Sequence, residues 1–299
     1  MMHYPRLAEE LFTIRDWLRF TVSQFEASDI FFGHGTDNSY DEAVWLILSA
    51  LHLPHDTLHN FLDAVITEQE RKHLAHLIEQ RITKRTPTAY LVREAWLRGL
   101  KFYVDERVIV PRSFIAELLE DSLQPWIEFP EMVESAADIC TGSGCLGILL
   151  ANAFPNAAID VVDISPDAIA VANINIANYG LQEQITAIQS DMFSALKGKK
   201  YDLIISNPPY VDAPSMAQLP IEYRNEPQLA LGSGVAGLDH THTILREAAN
   251  YLNDGGILVV EIGHNRDALL EAYPELPFTW LEVESGNEFV FLLTKEQLT

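Results

Sequence analysis

Gly142-Ser143-Gly144-Cys145-Leu146-Gly147 follows a short β-rich run, Ala136–Cys140, and opens a helical stretch. The spacing is G-x-G-x-x-G, in which glycines let a strand-to-helix turn tighten and let backbone N–H groups approach a ligand. Outward from this loop the same alternation continues. Ala158–Asp163, Thr186–Ser190, Asp202–Ser206 and Ile257–Ile262 are β-rich and are separated by helical stretches. Such alternation predicts an α/β fold, an open and mostly parallel Rossmann-like sheet with helices on both faces. Thr279–Glu284 and Glu288–Thr294 flank Ser285-Gly286-Asn287, which predicts an antiparallel hairpin closing the sheet. In such a sheet ligands sit at the carboxyl ends of the parallel strands.

Two strand ends bear on the ligand. Asp163, 21 residues after Gly142, ends the next strand, where a carboxylate can take both ribose hydroxyls of an adenosine. Ser165-Pro166 supplies the N-cap and first position of the following helix. The third strand ends at Ser190-Asp191-Met192-Phe193, placed to meet an adenine edge and face. Together these predict a nucleoside-containing ligand, without separating NAD from S-adenosyl-L-methionine.

Asn207-Pro208-Pro209-Tyr210, at the end of the apolar strand Tyr201–Ser206, makes that distinction. Prolines remove backbone donors and stiffen the turn, leaving carbonyl oxygens uncontested. The Asn207 side-chain oxygen and the Pro208 carbonyl can accept both hydrogens of a planar NH₂ group, with Tyr210 packed flat against it. Acceptors that strengthen as positive charge grows on nitrogen favour the transition state over the ground state. The predicted reaction is in-line methyl transfer from S-adenosyl-L-methionine to a planar NH₂ nitrogen.

The first third of the chain has a different grammar. Leu7, Leu11, Ile14, Leu18, Val22 and Phe25 recur at steps of three and four as one apolar stripe within a helical region from 4 to about 86. Ser39 with Glu42 and Thr67 with Glu70 have capping-box spacing, predicting helices near 40–52 and 68–84, with Pro87 stopping the second. Trp96 to Pro111 alternates around Asp105-Glu106-Arg107 and predicts a hairpin turning there. The expected organisation is a helical substrate-recognition domain over 1–94 and a catalytic domain with a leading hairpin over 95–299.

Across its 299 residues the chain carries 43 acidic against 20 basic side chains, a formal charge of −23. Phosphate binding needs clustered Lys and Arg, so direct nucleic-acid binding and an anionic membrane surface are not expected. A small molecule, or a basic macromolecule drawn in by long-range attraction, fits this charge; so does plain solubility. No apolar run approaches a membrane span, and the first ten residues turn acidic before any signal-peptide core. Cys140 and Cys145 match no zinc or redox spacing, and His52, His55, His59, His73 and His76 lack a completing cluster. No metal is expected, and the location expected is cytoplasmic.

Taken together these motifs resemble the protein-(glutamine-N5) methyltransferase family, and the likeness spans nearly the whole chain. Arg85-x-Pro87-x-x-Tyr90-Leu91, Gly99-Leu100-x-Phe102-x-Val104 and Val110-Pro111-Arg112 look like its inter-domain hairpin. Asp138-x-x-Thr141-Gly142-x-Gly144 looks like its donor loop and Asn207-Pro208-Pro209-Tyr210 like its amide-binding motif. The resemblance implies a class I fold that uses S-adenosyl-L-methionine. It implies donor contacts at Thr141, Gly142, Ser143, Gly144, Cys145, Asp163, Asp191, Met192 and Asn207. Asn207, Pro208, Pro209 and Tyr210 would hold the glutamine amide, with Asn207, Pro208 and Tyr210 serving the chemistry.

Within the family, Phe32-Gly33-His34-Gly35-Thr36-Asp37-Asn38 and Pro111-Arg112-Ser113 look like the branch that modifies large-subunit ribosomal protein L-three. Tyr223-Arg224-x-Glu226-Pro227 and Gly234-x-x-Gly237-Leu238 agree; Phe114, Ala236 and Met192 depart from the common pattern. That branch implies a strongly basic ribosomal-protein substrate, whereas the sister branch acts on release factors, typically acidic. DNA adenine-N6 methyltransferases use a similar Asn-Pro-Pro-Tyr turn, but segment 201–240 has Arg224 as its one basic residue. A non-catalytic ribosome assembly factor would have no need of an intact Asn207 and Tyr210. An NAD-dependent dehydrogenase would need a hydride-site acid or base that is not evident.

Overall fold

The computed structural model describes residues 7–299; the start of the expected helical region, residues 4–6, lies outside them. The described residues lead with helices that include α1 (Ile14–Ala27), α2 (Ser39–Ala50), α3 (Glu68–Thr83) and α4 (Thr88–Val92). α1 begins at a capping box in which Thr13 accepts the Asp16 N–H and Asp16 accepts the Thr13 N–H. The apolar stripe is therefore interrupted before Ile14, and Leu7 and Leu11 pack on the same core from outside the helix. That core joins Trp17 and Phe25 of α1, Leu46 and Ile47 of α2, and Leu74 and Ile78 of α3.

One expected cap is overturned and one stands. Thr67 and Glu70 cap α3 reciprocally. At α2 the N-cap is Asn38, whose side chain accepts the Asp41 N–H, so Ser39 lies inside the helix and donates to Glu26. Glu42 has a stronger partner than a backbone N–H: its carboxylate takes the buried guanidinium of Arg81 and the Thr88 hydroxyl.

A two-stranded hairpin follows, β1 (Ala95–Leu97) and β2 (Leu100–Phe102). Its turn is Arg98-Gly99, both at positive φ (47° and 75°), the conformation a two-residue hairpin loop requires. The hairpin expected to turn at 105–107 is thus corrected to 95–102; the chain does turn at 105–108, where the Val108 N–H donates to the Asp105 carbonyl at 3.1 Å, but no paired strands flank that turn. Asp105 there accepts from the Arg107 guanidinium at 2.8 and 2.7 Å and from the Tyr103 hydroxyl at 2.7 Å, bonds that brace the turn.

The sheet is β3 (Ser135–Ile139), β4 (Ala158–Asp163), β5 (Ile185–Gln189), β6 (Tyr201–Ser206), β7 (Leu252–Glu261), β8 (Thr279–Trp280) and β9 (Val290–Thr294). Its order is β5-β4-β3-β6-β7-β9-β8; the first five run parallel, and β9 lies antiparallel to β7 and β8. β3 and β6 are covered on both faces, so nearly every residue in them is buried and most are apolar. Successive residues divide between two cores. Ala136, Leu203 and Ile205 pack towards α5 (Cys145–Ala153); Ala137, Ile139 and Ile204 pack towards α7 (Asp239–Glu247) and α8 (Arg266–Ala272). α6 (Pro166–Asn178) follows β4. β3 is flanked by β4 on one side and β6 on the other. This reversal of strand order opens a crevice at their carboxyl ends, beside the loops after β3, β4 and β6.

Candidate functional site

The glycine loop is held by its neighbours' polar groups. Thr141 donates its backbone N–H to the Val162 carbonyl at 2.9 Å and its hydroxyl to Asp138 at 2.5 Å. Gly142 (φ 56°) donates to Asp163 Oδ2 at 2.9 Å, and Ser165 donates its N–H to Asp163 Oδ1 at 2.9 Å. Each carboxylate oxygen thus has one backbone donor and keeps accepting capacity for a ligand. Burial raises the Asp163 pKa against these bonds. Gly144 (φ 80°) caps α5, and Gly147 one turn later lies so close to β4 that a Cβ there would sit 2.2 Å from Val161 Cγ1.

Beside this loop is a partly open cleft. Gly142, Asp163, Asp191, Met192, Asn207 and Pro209 face it. Thr141, Ser143, Gly144, Cys145, Pro208 and Tyr210 are not among the lining residues. Their bonds shape what does line it. Ser143 gives its carbonyl to Asn175 at 2.8 Å, and Cys145 is buried, its thiol pushed up to about 12. Tyr210 packs over Gly263, its hydroxyl 3.3 Å from Glu261 and its carbonyl accepting from Asn265 at 2.7 Å.

Asn207 is oriented by chemistry. Its Nδ2 donates to the Arg112 carbonyl at 3.1 Å, so Oδ1 is the atom left to accept from a ligand. Arg112 in turn makes two 2.7 Å bonds to the Glu226 carboxylate. Burial works to raise the pKa of Glu226, but the Arg112 bonds and the nearby His34 outweigh it and hold the group at about 2. Glu261 is the opposite case. Burial pushes it up to about 7 although it accepts from the Ser113 hydroxyl at 2.6 Å and the Phe114 N–H at 2.9 Å. It is a satisfied strand-end group that braces the segment after Arg112.

The remaining cleft walls were not singled out by sequence reasoning. Arg107-Val108-Ile109 lines the cleft from the 105–108 turn onward, in a segment left unpaired because the hairpin turns earlier, at Arg98-Gly99. Pro227, Leu229 and Ala230 close another side. His240 also faces in, its Nδ1 2.7 Å from the Ser233 hydroxyl, and no local motif marks it.

A carboxylate at the end of β4, apolar walls from Val162, Ile164 and Leu229, and open space at Gly142 where a side chain would project all suit a nucleoside-bearing donor. The family profile described as Methyltransferase small domain matches residues 118–220. The hMettl16 catalytic domain in complex with a MAT2A 3′UTR hairpin superimposes with a TM-score of 0.50 at 14% identity, covering 78% of this chain and 84% of that one, a likeness of fold alone. Fold, cleft and profile define a class I methyltransferase whose cofactor is S-adenosyl-L-methionine.

Two relatives narrow the class. A ribosomal protein uL3 glutamine methyltransferase of Neisseria gonorrhoeae is 59% identical over 99% of this chain and 98% of its own length. One of Bordetella pertussis is 52% identical over 97% of each. The chain belongs to the family of ribosomal protein uL3 glutamine methyltransferases.

Proposed function

We propose that this protein methylates the side-chain amide nitrogen of a glutamine in ribosomal protein uL3, the L-three substrate expected from the sequence. The observation that carries the reading is the fixed amide of Asn207, whose donor end is occupied by the Arg112 carbonyl and whose Oδ1 stands free at the cleft. An amide nitrogen is a poor nucleophile because its lone pair is delocalised. Asn207 Oδ1 and the Pro208 carbonyl hold both of its hydrogens and turn the lone pair towards the donor. These acceptors strengthen as charge develops on nitrogen. Tyr210, braced by Glu261 and Asn265, flanks the amide plane. Bound S-adenosyl-L-methionine supplies an electrophilic methyl group. Asp163 holds its ribose, Asp191 and Met192 its adenine, and the loop Thr141, Gly142, Ser143, Gly144 and Cys145 its methionyl side.

The helices of residues 1–94 grip the substrate protein, and residues 95–299 do the chemistry. The charge of −23 matches a strongly basic partner. Among the described residues no helix is long and apolar enough to cross a membrane, and the reaction belongs in the cytoplasm, where ribosomal proteins are made and assembled. Neither membrane nor direct nucleic-acid binding forms part of this reading. The test is incubation with labelled donor and uL3 from an unmethylated strain, followed by mass spectrometry. Label on one uL3 glutamine is the expected result. Label in release factors and none in uL3 would assign the chain to the sister activity.

A further inference from the structure

If Asn207 holds the substrate amide, as proposed above, it must present oxygen to it and not nitrogen. Flipping the Asn207 amide would set Oδ1 against the Arg112 carbonyl, two acceptors with no hydrogen between them, and would offer the substrate a donor. The position of the Arg112 backbone therefore selects the face that Asn207 turns to the cleft.

Arg112 follows Pro111, which has no N–H of its own with which to anchor the segment. Glu226 supplies the anchor on both sides of that proline. Its Oε1 accepts the Val110 N–H at 2.9 Å, and its two oxygens take the Arg112 guanidinium at 2.7 Å each. The Arg112 guanidinium also lies over the Tyr223 ring, 5.3 Å from the centroid. Glu226 is only 2% exposed, so its charge is spent on these partners and not on solvent. The same turn reaches the N-terminal helices. His34, buried, places Nε2 3.6 Å from Glu226 and its ring 4.5 Å from that of Tyr223. Glu222 accepts the Phe31 N–H at 3.0 Å and the buried Arg81 guanidinium at 3.3 Å.

We infer that Glu226 is a positioning residue: by clamping Val110 and Arg112 it fixes the carbonyl that orients Asn207, and it ties that orientation to the N-terminal helices. It touches neither donor nor substrate, and it acts on the rate through Asn207.

The test is a double-mutant cycle read by single-turnover transfer from labelled S-adenosyl-L-methionine to uL3. Glu226→Gln keeps the shape and one acceptor while removing the charge. It is expected to slow transfer by about tenfold or more, since the acceptor in the transition state is misoriented. Donor Kd measured by calorimetry stays within about twofold, because the Asp163 side of the cleft is untouched. In an Asn207→Ala background Glu226→Gln causes no further slowing, because the atom it positions is gone. Arg112→Lys keeps the carbonyl but breaks the two-point clamp, and it carries the same cycle should Glu226→Gln fail to fold. Full multiplication of the Glu226→Gln and Asn207→Ala effects overturns the inference. So do wild-type rates in the clamp variants, or a donor Kd that rises in step with the lost rate. Wild-type transfer by Asn207→Ala would instead overturn the amide-binding reading on which it rests.

Discussion

Gly147 offers a perturbation whose sign, and not only its size, is set by one contact. It lies inside α5, where alanine is favoured over glycine by about 1 kcal/mol through backbone entropy. A Cβ at this position would lie 2.2 Å from Val161 Cγ1, and Val161 is fully buried in β4. Overpacking of that kind costs about 1–3 kcal/mol, so Gly147→Ala should destabilise the protein by up to about 2 kcal/mol net. The next neighbours are Val161 Cβ at 3.6 Å and Asp138 Oδ2 at 3.8 Å, both ordinary contacts. Once Val161→Ala removes the obstructing methyl, Gly147→Ala should stabilise that background by up to about 1 kcal/mol. The coupling between the two sites is then about 1–3 kcal/mol, measurable as urea-unfolding midpoints at constant slope. α5 starts at Gly144, so moving it off the sheet also disturbs the Gly142–Asp163 bond, and donor affinity should fall with stability. Additive effects within about 0.5 kcal/mol, or a stabilising Gly147→Ala in the wild type, would refute the close approach as the reason for glycine.

Two further outcomes follow from carboxylates, one half-buried and one buried. Asp163→Ala removes the acceptor of two backbone N–H groups as well as the proposed ribose contact, so donor Kd measured by calorimetry should rise at least about tenfold; an unchanged Kd would remove Asp163 from the donor site. Glu261, raised by burial from an ordinary 4.5 to about 7, binds its proton more tightly in the folded chain than in the unfolded one. Its contribution is therefore fully present below 4.5 and is lost as pH rises through about 7, a change worth about 3 kcal/mol. Glu261→Gln lacks this term, so its unfolding free energy should gain on the wild type by about that amount between pH 4.5 and 7.5; a constant gap would show that Glu261 is ionised throughout.

Much of the fold could be read in the sequence because local chemistry and tertiary context agree there. Parallel strands buried on both faces are mainly apolar, so β3, β4 and β6 stand out in the sequence and lie within a residue of their expected bounds. The Thr67–Glu70 cap is satisfied within one turn and needs nothing from elsewhere. Where the reading failed, a distant partner had won. Ser39 and Glu42 have the spacing of a capping box, but Glu42 is claimed by Arg81, 39 residues away. The motif residues Gly142, Asp163, Asp191, Met192, Asn207 and Pro209 converge on one cleft, yet its other walls come from segments with no periodic signal of their own. Arg107, Leu229 and His240 reach the cleft only through chain closure, which no local window contains. Arg112 and Glu226 could be seen as motif letters, but their pairing across 114 residues could not.

The acidic excess also changes meaning once the buried charges are placed. Among the described residues seven acidic side chains are buried, against the single basic side chain of Arg81. Those interior carboxylates have local work. Glu226 holds Arg112, Glu42 and Glu222 hold Arg81, Asp160 takes Lys199 and Tyr201, and Glu261 anchors the Ser113–Phe114 backbone. They are too few to account for 43 acids against 20 bases, so most of the imbalance lies at or near the surface. A surface field of that sign acts over about 8–10 Å at physiological salt, beyond the reach of any one hydrogen bond. Such a field would attract the basic substrate proposed above before any contact forms. In the proposed function the two populations of carboxylate thus act at different ranges, one orienting the atoms at the cleft and the other bringing a basic substrate towards it.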